Sequence, residues 1–295
     1  MHRTRPRRQP SAARPTRAGQ TDSEPARTAP PPEARAVAAE IVRALRRRRN
    51  APRAEGVQRF FKDAVIALGI DTPSLRAFAR ERARGLRAHW TAATMADCAG
   101  YLLAEPEIEI RGTALLLLAD QQRALTPDFL PRAESWLRRH LDNWALVDTF
   151  CGAILSPLLR REPDMERVLA RWSRADSLWV RRAALVTLVP LARRGERLDL
   201  AYRLAAEHFP DPEDLIHKAT GWLLRDAGKT DPDRLRRFLL DHGPAIPRTA
   251  LRYAIERFEP AARANLLHAT RKAGRAFVTP PETRRVSGRP RSRNA

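Results

Sequence analysis

Cysteine is nearly missing from this 295-residue chain: Cys98 and Cys151 are the only two. Two thiols placed so far apart make neither a disulfide framework nor a zinc-binding spacing, and they suit a reducing compartment. Lysine is almost as scarce, with Lys62, Lys218, Lys229 and Lys272 alone among 55 cationic residues. A mechanism built on an amine nucleophile therefore has few candidates. Aromatics are only 6% of the chain, and no window shows the period-two alternation of a strand. No apolar run reaches the ~18 residues of a membrane span. Arg7 and Arg8 are followed by Gln9, Pro10 and Ser11, not by the apolar stretch of a twin-arginine export signal. A cytoplasmic, nucleoid-associated protein with no membrane partner is expected. The seven His are scattered, with no pair at i,i+4 and none near both Cys, so no metal site is expected. Gly228-Lys229-Thr230 looks like the end of a phosphate-binding loop, but Leu223 stands where the first Gly belongs and no strand precedes it. There is no Gly-x-Ser-x-Gly elbow and no Ser that stands out as a nucleophile.

What fills the chain is Ala, Leu and Arg, a balance that favours helices. The formal charge is +21, enough to attract polyanions but silent about fold. It is unevenly placed. Residues 1–53 hold 14 Arg against 4 acids, and residues 273–295 hold 6 Arg against 1 acid. The middle is only mildly basic, so it must recognise a partner through placed residues. Residues 1–35 are Arg, Pro, Ala, Ser and Thr and lack the apolar surface to offset ordering entropy; they are expected to be a disordered tail. The stretch from 273 to 295 is expected to be a second disordered basic tail. Between them, residues 36–272 are expected to form one helical domain. Its first helix, over 36–49, carries Val37, Ile41, Val42 and Leu45 on one face.

From 54 to 272 the apolar period is helical throughout, as in Leu130, Leu137 and Leu141. Breaks fall before prolines, and Asp or Thr there can cap the free amides of the next helix. Helix starts near Glu107, Asn143, Ser177, Pro212 and Pro247 are 36, 34, 35 and 35 residues apart, with one more helix inside each interval. That spacing is a two-helix repeat. Its stacking predicts an all-α, HEAT-like solenoid, a curved superhelix with one helix of each pair lining the concave face.

Equivalent helices of successive repeats carry matching residues. Trp144 and Asp148 stand at i,i+4 and share a face. Trp179 and Arg182 stand at i,i+3, with Arg181 pointing elsewhere. Lys218, Trp222 and Arg225 make one face of the next helix. Trp90, Trp136 and Trp172 read as core. Lys218 and Arg225, with Arg248 and Arg252 on the last such helix, are candidate contacts to phosphates, and Arg181 is a further DNA-binding candidate.

These residues resemble the AlkD-type DNA alkylation repair glycosylases. The likeness runs from about 57 to 272: Leu68-Gly-Ile-Asp-Thr-Pro73-Ser-Leu75-Arg76, then Trp144 and Asp148, then Trp179-Val-Arg-Arg-Ala-Ala. It is strongest at Lys218-Ala-Thr-Gly-Trp-Leu-Leu-Arg-Asp-Ala-Gly-Lys-Thr-Asp-Pro232. The resemblance implies a HEAT-like superhelix gripping double-stranded DNA that carries alkylated bases. It implies that Trp144, Asp148 and Trp222 touch the damaged nucleotide, that Arg182 contacts DNA, and that no base is flipped into a pocket. The Arg-rich ends depart from it. No cofactor is implied, and a monomer is expected.

The residue types suit that chemistry. A purine alkylated at N3 or N7 is already cationic, so its glycosidic bond is weak. What remains is to stabilise an oxocarbenium-like sugar and supply water, and a carboxylate can do both. A Trp face attracts a cation by about 0.5–2 kcal/mol. Two other readings stay open on the sequence alone: a noncatalytic repeat protein that binds distorted or branched DNA, and a protein-binding scaffold.

Overall fold

In the computed structural model of the chain, residues 32–271 are described. The expected tails lie outside them except for 32–35. The helices are α1 (Pro32–Arg46), α2 (Ala51–Val57), α3 (Thr72–Arg87), α4 (Ala92–Leu103), α5 (Ile108–Asp120), α6 (Leu130–Arg139), α7 (Trp144–Phe150) and α8 (Ser156–Arg161), followed by α9 (Met165–Trp172), α10 (Leu178–Val186), α11 (Val189–Ala192), α12 (Leu198–Glu207), α13 (Asp214–Ala227), α14 (Pro232–His242), α15 (Arg248–Ala254) and α16 (Pro260–Ala269). Among the described residues there is no strand; one isolated bridge joins Ile66 to Glu107. No helix there is long and apolar enough to cross a membrane.

Some helix starts are fixed by side-chain caps. Asp71 accepts from the Ser74 amide, Asn143 from Leu146 and Asp231 from Arg234. α5, α7, α10 and α15 begin immediately after Glu107, Asn143, Ser177 and Pro247. The helix placed near Pro212 begins instead at Asp214, because the Asp211 side chain accepts from the Glu213 amide at 3.0 Å and holds the intervening residues in a turn.

α3, α5, α7, α10, α13 and α15 touch one another in order and form an inner row. α4, α6, α9, α12 and α14 pack against that row as a second layer, and α16 packs on α14. Between the layers lie Leu103, Leu118, Phe150, Leu169 and Leu223, all buried. Trp90, Trp136 and Trp172 are buried as well. Two of these satisfy their indole N–H on carboxylates, Trp90 on Glu33 at 3.0 Å and Trp172 on Glu134 at 2.8 Å.

The first helix begins at Pro32 and not at residue 36. Ala34 is fully buried beside Ala38, Ile41 and Leu45, and Glu33 holds Trp90, so the packed unit takes in residues read as tail. Arg46 closes the other end of α1 onto Glu105 at 2.6 Å and Glu107 at 2.7 Å. α7 runs into α8 through one wide π turn over Cys151–Leu155.

Candidate functional site

The Asn143 cap makes Trp144 the first residue of α7 and sets Asp148 one turn later on the same face. The Trp144 side chain remains part-exposed and stacks on Phe61, with ring centroids 5.5 Å apart and planes at 23°. Phe61 belongs to the non-helical segment between α2 and α3. Gln58 braces that segment by donating to the Phe61 and Asp63 carbonyls and accepting from the Val65 amide. Farther on, the buried Glu109 carboxylate accepts from the amides of Leu68, Gly69 and Ile70. Gly69 has φ +79°, and a Cβ there would lie 2.2 Å from the Asn50 carbonyl oxygen, so only glycine fits. The Leu68–Pro73 motif thus anchors the segment that supports Trp144.

Asp148 faces Arg182 in a two-pronged ion pair across α7 and α10. Its Oδ1 accepts from Nε at 2.9 Å and its Oδ2 from Nη2 at 2.8 Å. The third arm of the guanidinium donates to the Leu215 carbonyl at 2.5 Å and so reaches α13. The Arg182 side chain is 5% exposed and that of Asp148 17%. Burial raises the Asp148 carboxyl above the ordinary carboxylate value, while the Arg182 charge works against the rise. What results is an oriented carboxylate that keeps a small part of its side chain exposed. Arg182 itself is buried, with three of its five N–H donors bonded to Asp148 and the Leu215 carbonyl, and it holds the Asp148 carboxylate in place. The Cys151 thiol nearby is pushed up to about 12 by burial and is inert.

On α13, Lys218 pairs with Asp214 at 2.8 Å, and Trp222 follows one turn later, half-buried against the core. The Asp214 contact raises the pKa of Lys218, with a small opposing influence from Arg182. Trp144 and Asp148 on α7 and Lys218 and Trp222 on α13 therefore lie along one row, joined through Arg182 of the intervening α10.

The other predicted contacts are placed differently. Arg181 is turned inward, onto Asp211 at 2.8 Å and the carbonyls of Ala175 and Asp176, and ties two loops together. Arg225 pairs with Glu256. Arg248 donates to Thr270 and the Leu267 carbonyl, which fastens α15 to α16. Arg252 is exposed and has no ion-pair partner among the described residues.

Two aromatic residues of the site escaped the sequence reading. Phe61 lies outside any helical period and gives no signal. Tyr253 is part-exposed on α15. It is brought close by Gly221, where a Cβ would meet the Ala250 carbonyl at 2.4 Å and Tyr253 Cβ at 2.5 Å.

A family described as DNA alkylation repair enzyme matches residues 41–258. A solved structure, a predicted DNA alkylation repair enzyme from Enterococcus faecalis, superposes with a TM-score of 0.65 at 18% identity, over 72% of this chain and 98% of that one. At that identity the likeness is one of fold. The smu.31 structure from Streptococcus mutans UA159 has a TM-score of 0.48 and 16% identity, over 63% of this chain and 100% of that one. No curated protein matches the chain.

Proposed function

The chain belongs to the DNA alkylation repair enzyme family, and from that premise we propose that it is a monofunctional glycosylase, hydrolysing the N-glycosidic bond of N3- and N7-alkylated purines in duplex DNA. The observation that carries this reading is the partly exposed Asp148 carboxylate, held by two hydrogen bonds from Arg182, on the same row as Trp144 and Trp222.

The reaction needs negative charge near the sugar as the bond between C1′ and the purine nitrogen breaks. The alkylated base takes the bonding electrons and leaves neutral, so no acid has to protonate it. Positive charge then builds on C1′ and the ring oxygen. Asp148 opposes that charge and orients a water, whose oxygen bonds to C1′ and whose proton passes to the carboxylate or to solvent. Arg182 keeps the carboxylate ionised and fixed in direction, which removes reorganisation from the step. The faces of Trp144 and Trp222 add attraction for the cationic nucleotide. The site is an open row of helices, which favours reading the lesion in place over drawing the base into a pocket. The active unit would be a monomer built from the helical domain, with the Arg-rich ends adding unspecific attraction to DNA in the nucleoid.

Lys218 is the one lysine on this face. A Schiff-base nucleophile needs a lowered amine pKa, whereas its pairing with Asp214 raises it. Water as the nucleophile leaves an uncut abasic strand. Borohydride trapping on duplex DNA carrying N7-methylguanine tests this. No covalent adduct is expected; an adduct that vanishes in Lys218→Ala would move the chemistry from Asp148 to Lys218.

A further inference from the structure

The helix α3 opens the inner row and packs on α5. Its buried face is Phe78, Ala79 and Ala83. Flanking that face, Arg76, Arg80 and Arg84 are exposed at i, i+4 and i+8, and among the described residues none of the three has an ion-pair partner. On the same helix Arg82 is bound to Glu40 and Arg87 to Asp120. Glu81 is the one acid in α3. Successive members of the stripe are about 6 Å apart along the axis, since each residue rises about 1.5 Å.

The stripe starts at the candidate site. Arg76 lines a groove of about 460 Å³ together with Phe60, Phe61, Ala145 and Thr149. Phe61 is the ring that supports Trp144, and Ala145 and Thr149 flank Asp148 on α7. From that groove the stripe runs along α3, which lies beside α5 from Leu75 at Gly112 to Arg87 at Asp120.

We propose that Arg76, Arg80 and Arg84 form a phosphate-binding rail that holds the duplex arm lying beyond the lesion toward the N-terminal end of the row. This deepens the reading of the inner row as the DNA-binding face and rests on it. Exposed guanidinium groups without protein partners keep their donors for phosphate oxygens, and three of them a turn apart can take separate phosphates. A merely solvated basic face would carry the same charge without a fixed place on the DNA.

The test is salt-dependent binding of the full chain to undamaged duplex DNA. Each phosphate contact contributes about 0.9 to the slope of log K against log salt. The triple variant R76Q/R80Q/R84Q is expected to lower that slope by between about 2 and 3. A control, R123Q/R167Q/R237Q, removes as many charges away from α3 and should change the slope by less than about 1. Equal slopes in the two triple variants, or no change from wild type in the first, would overturn the rail. Excision is scored separately on methylated DNA. A protein that never excises but loses the slope as expected retains the rail and loses the glycosylase reading. One that excises with an unchanged slope does the reverse.

Discussion

The pair of Asp148 and Arg182 decides what the candidate site can do. A carboxylate removed from water tends toward its neutral form, and the adjacent guanidinium resists this. Burial has the larger influence, so the Asp148 pKa stands above its ordinary value of 3.8. If the ionised form does the chemistry, the acid limb of the excision profile should lie above that value. In Arg182→Gln the resisting cation is gone, and the limb should move farther toward neutral pH. A limb in the same place in both proteins would remove Arg182 from the positioning role. The same change carries a structural cost. Asp148 is left as an uncompensated, mostly buried charge, which destabilises by about 3 kcal/mol, and thermal unfolding should show it. At this scale the sequence was only partly readable. The i,i+4 spacing put Trp144 and Asp148 on one face, but two adjacent arginines cannot be told apart by spacing. Only the packing of α10 sends Arg182 to Asp148 and Arg181 to Asp211.

At the level of helices, the closest approach in the row is between α13 and α15, made possible by Gly221. Gly221→Ala has to separate them, since its Cβ would stand 2.5 Å from Tyr253 Cβ. A loss of about 1–3 kcal/mol in denaturant unfolding is expected, as for an overpacked core. Gly152→Ala, where a Cβ meets nothing within 4 Å, should leave stability unchanged or raise it. The C-terminal end of α13 adds a pH dependence. Asp226 is fully buried there, paired with Lys229 and bonded to Arg193 at 3.0 Å. Burial alone would raise its carboxyl; the two cations outweigh that and hold it below 3.8. A lowered folded pKa means stability present above the unfolded value of about 3.9 and lost as pH falls through the folded one. Wild type should therefore lose melting temperature more steeply than Asp226→Asn as the pH drops below about 4. A parallel decline would contradict the ion cluster. The repeat that holds these elements was legible because caps and prolines mark helix starts directly. The segment from 58 to 71 was not: local hydrogen bonds from Gln58 and long-range ones to Glu109 fix its backbone and leave no periodic trace.

Over the whole molecule, α1 belongs to the folded unit. Ile41, Val42 and Leu45 are buried against α4 and α5. Each such side chain contributes about 1.5–3 kcal/mol on burial. Deleting residues 1–53 should therefore remove much of a domain's ~5–15 kcal/mol of stability. The shortest active piece is expected to span 32–271. It should keep excision and lose part of the salt dependence of DNA binding with the Arg-rich ends. A cooperative melt of the piece from 54 to 271 at the full-length temperature would contradict this. The central claim is that the assembled row excises alkylpurines through Asp148. The most direct measurement is single-turnover release of N7-methylguanine and N3-methyladenine from methylated duplex DNA, with wild type and Asp148→Asn compared at matched folding. The account predicts free base from wild type, a rate lower by about 10²-fold or more in the variant, and nearly unchanged binding to undamaged DNA. Equal rates in the two proteins, or no base released by wild type that binds the DNA, would contradict it.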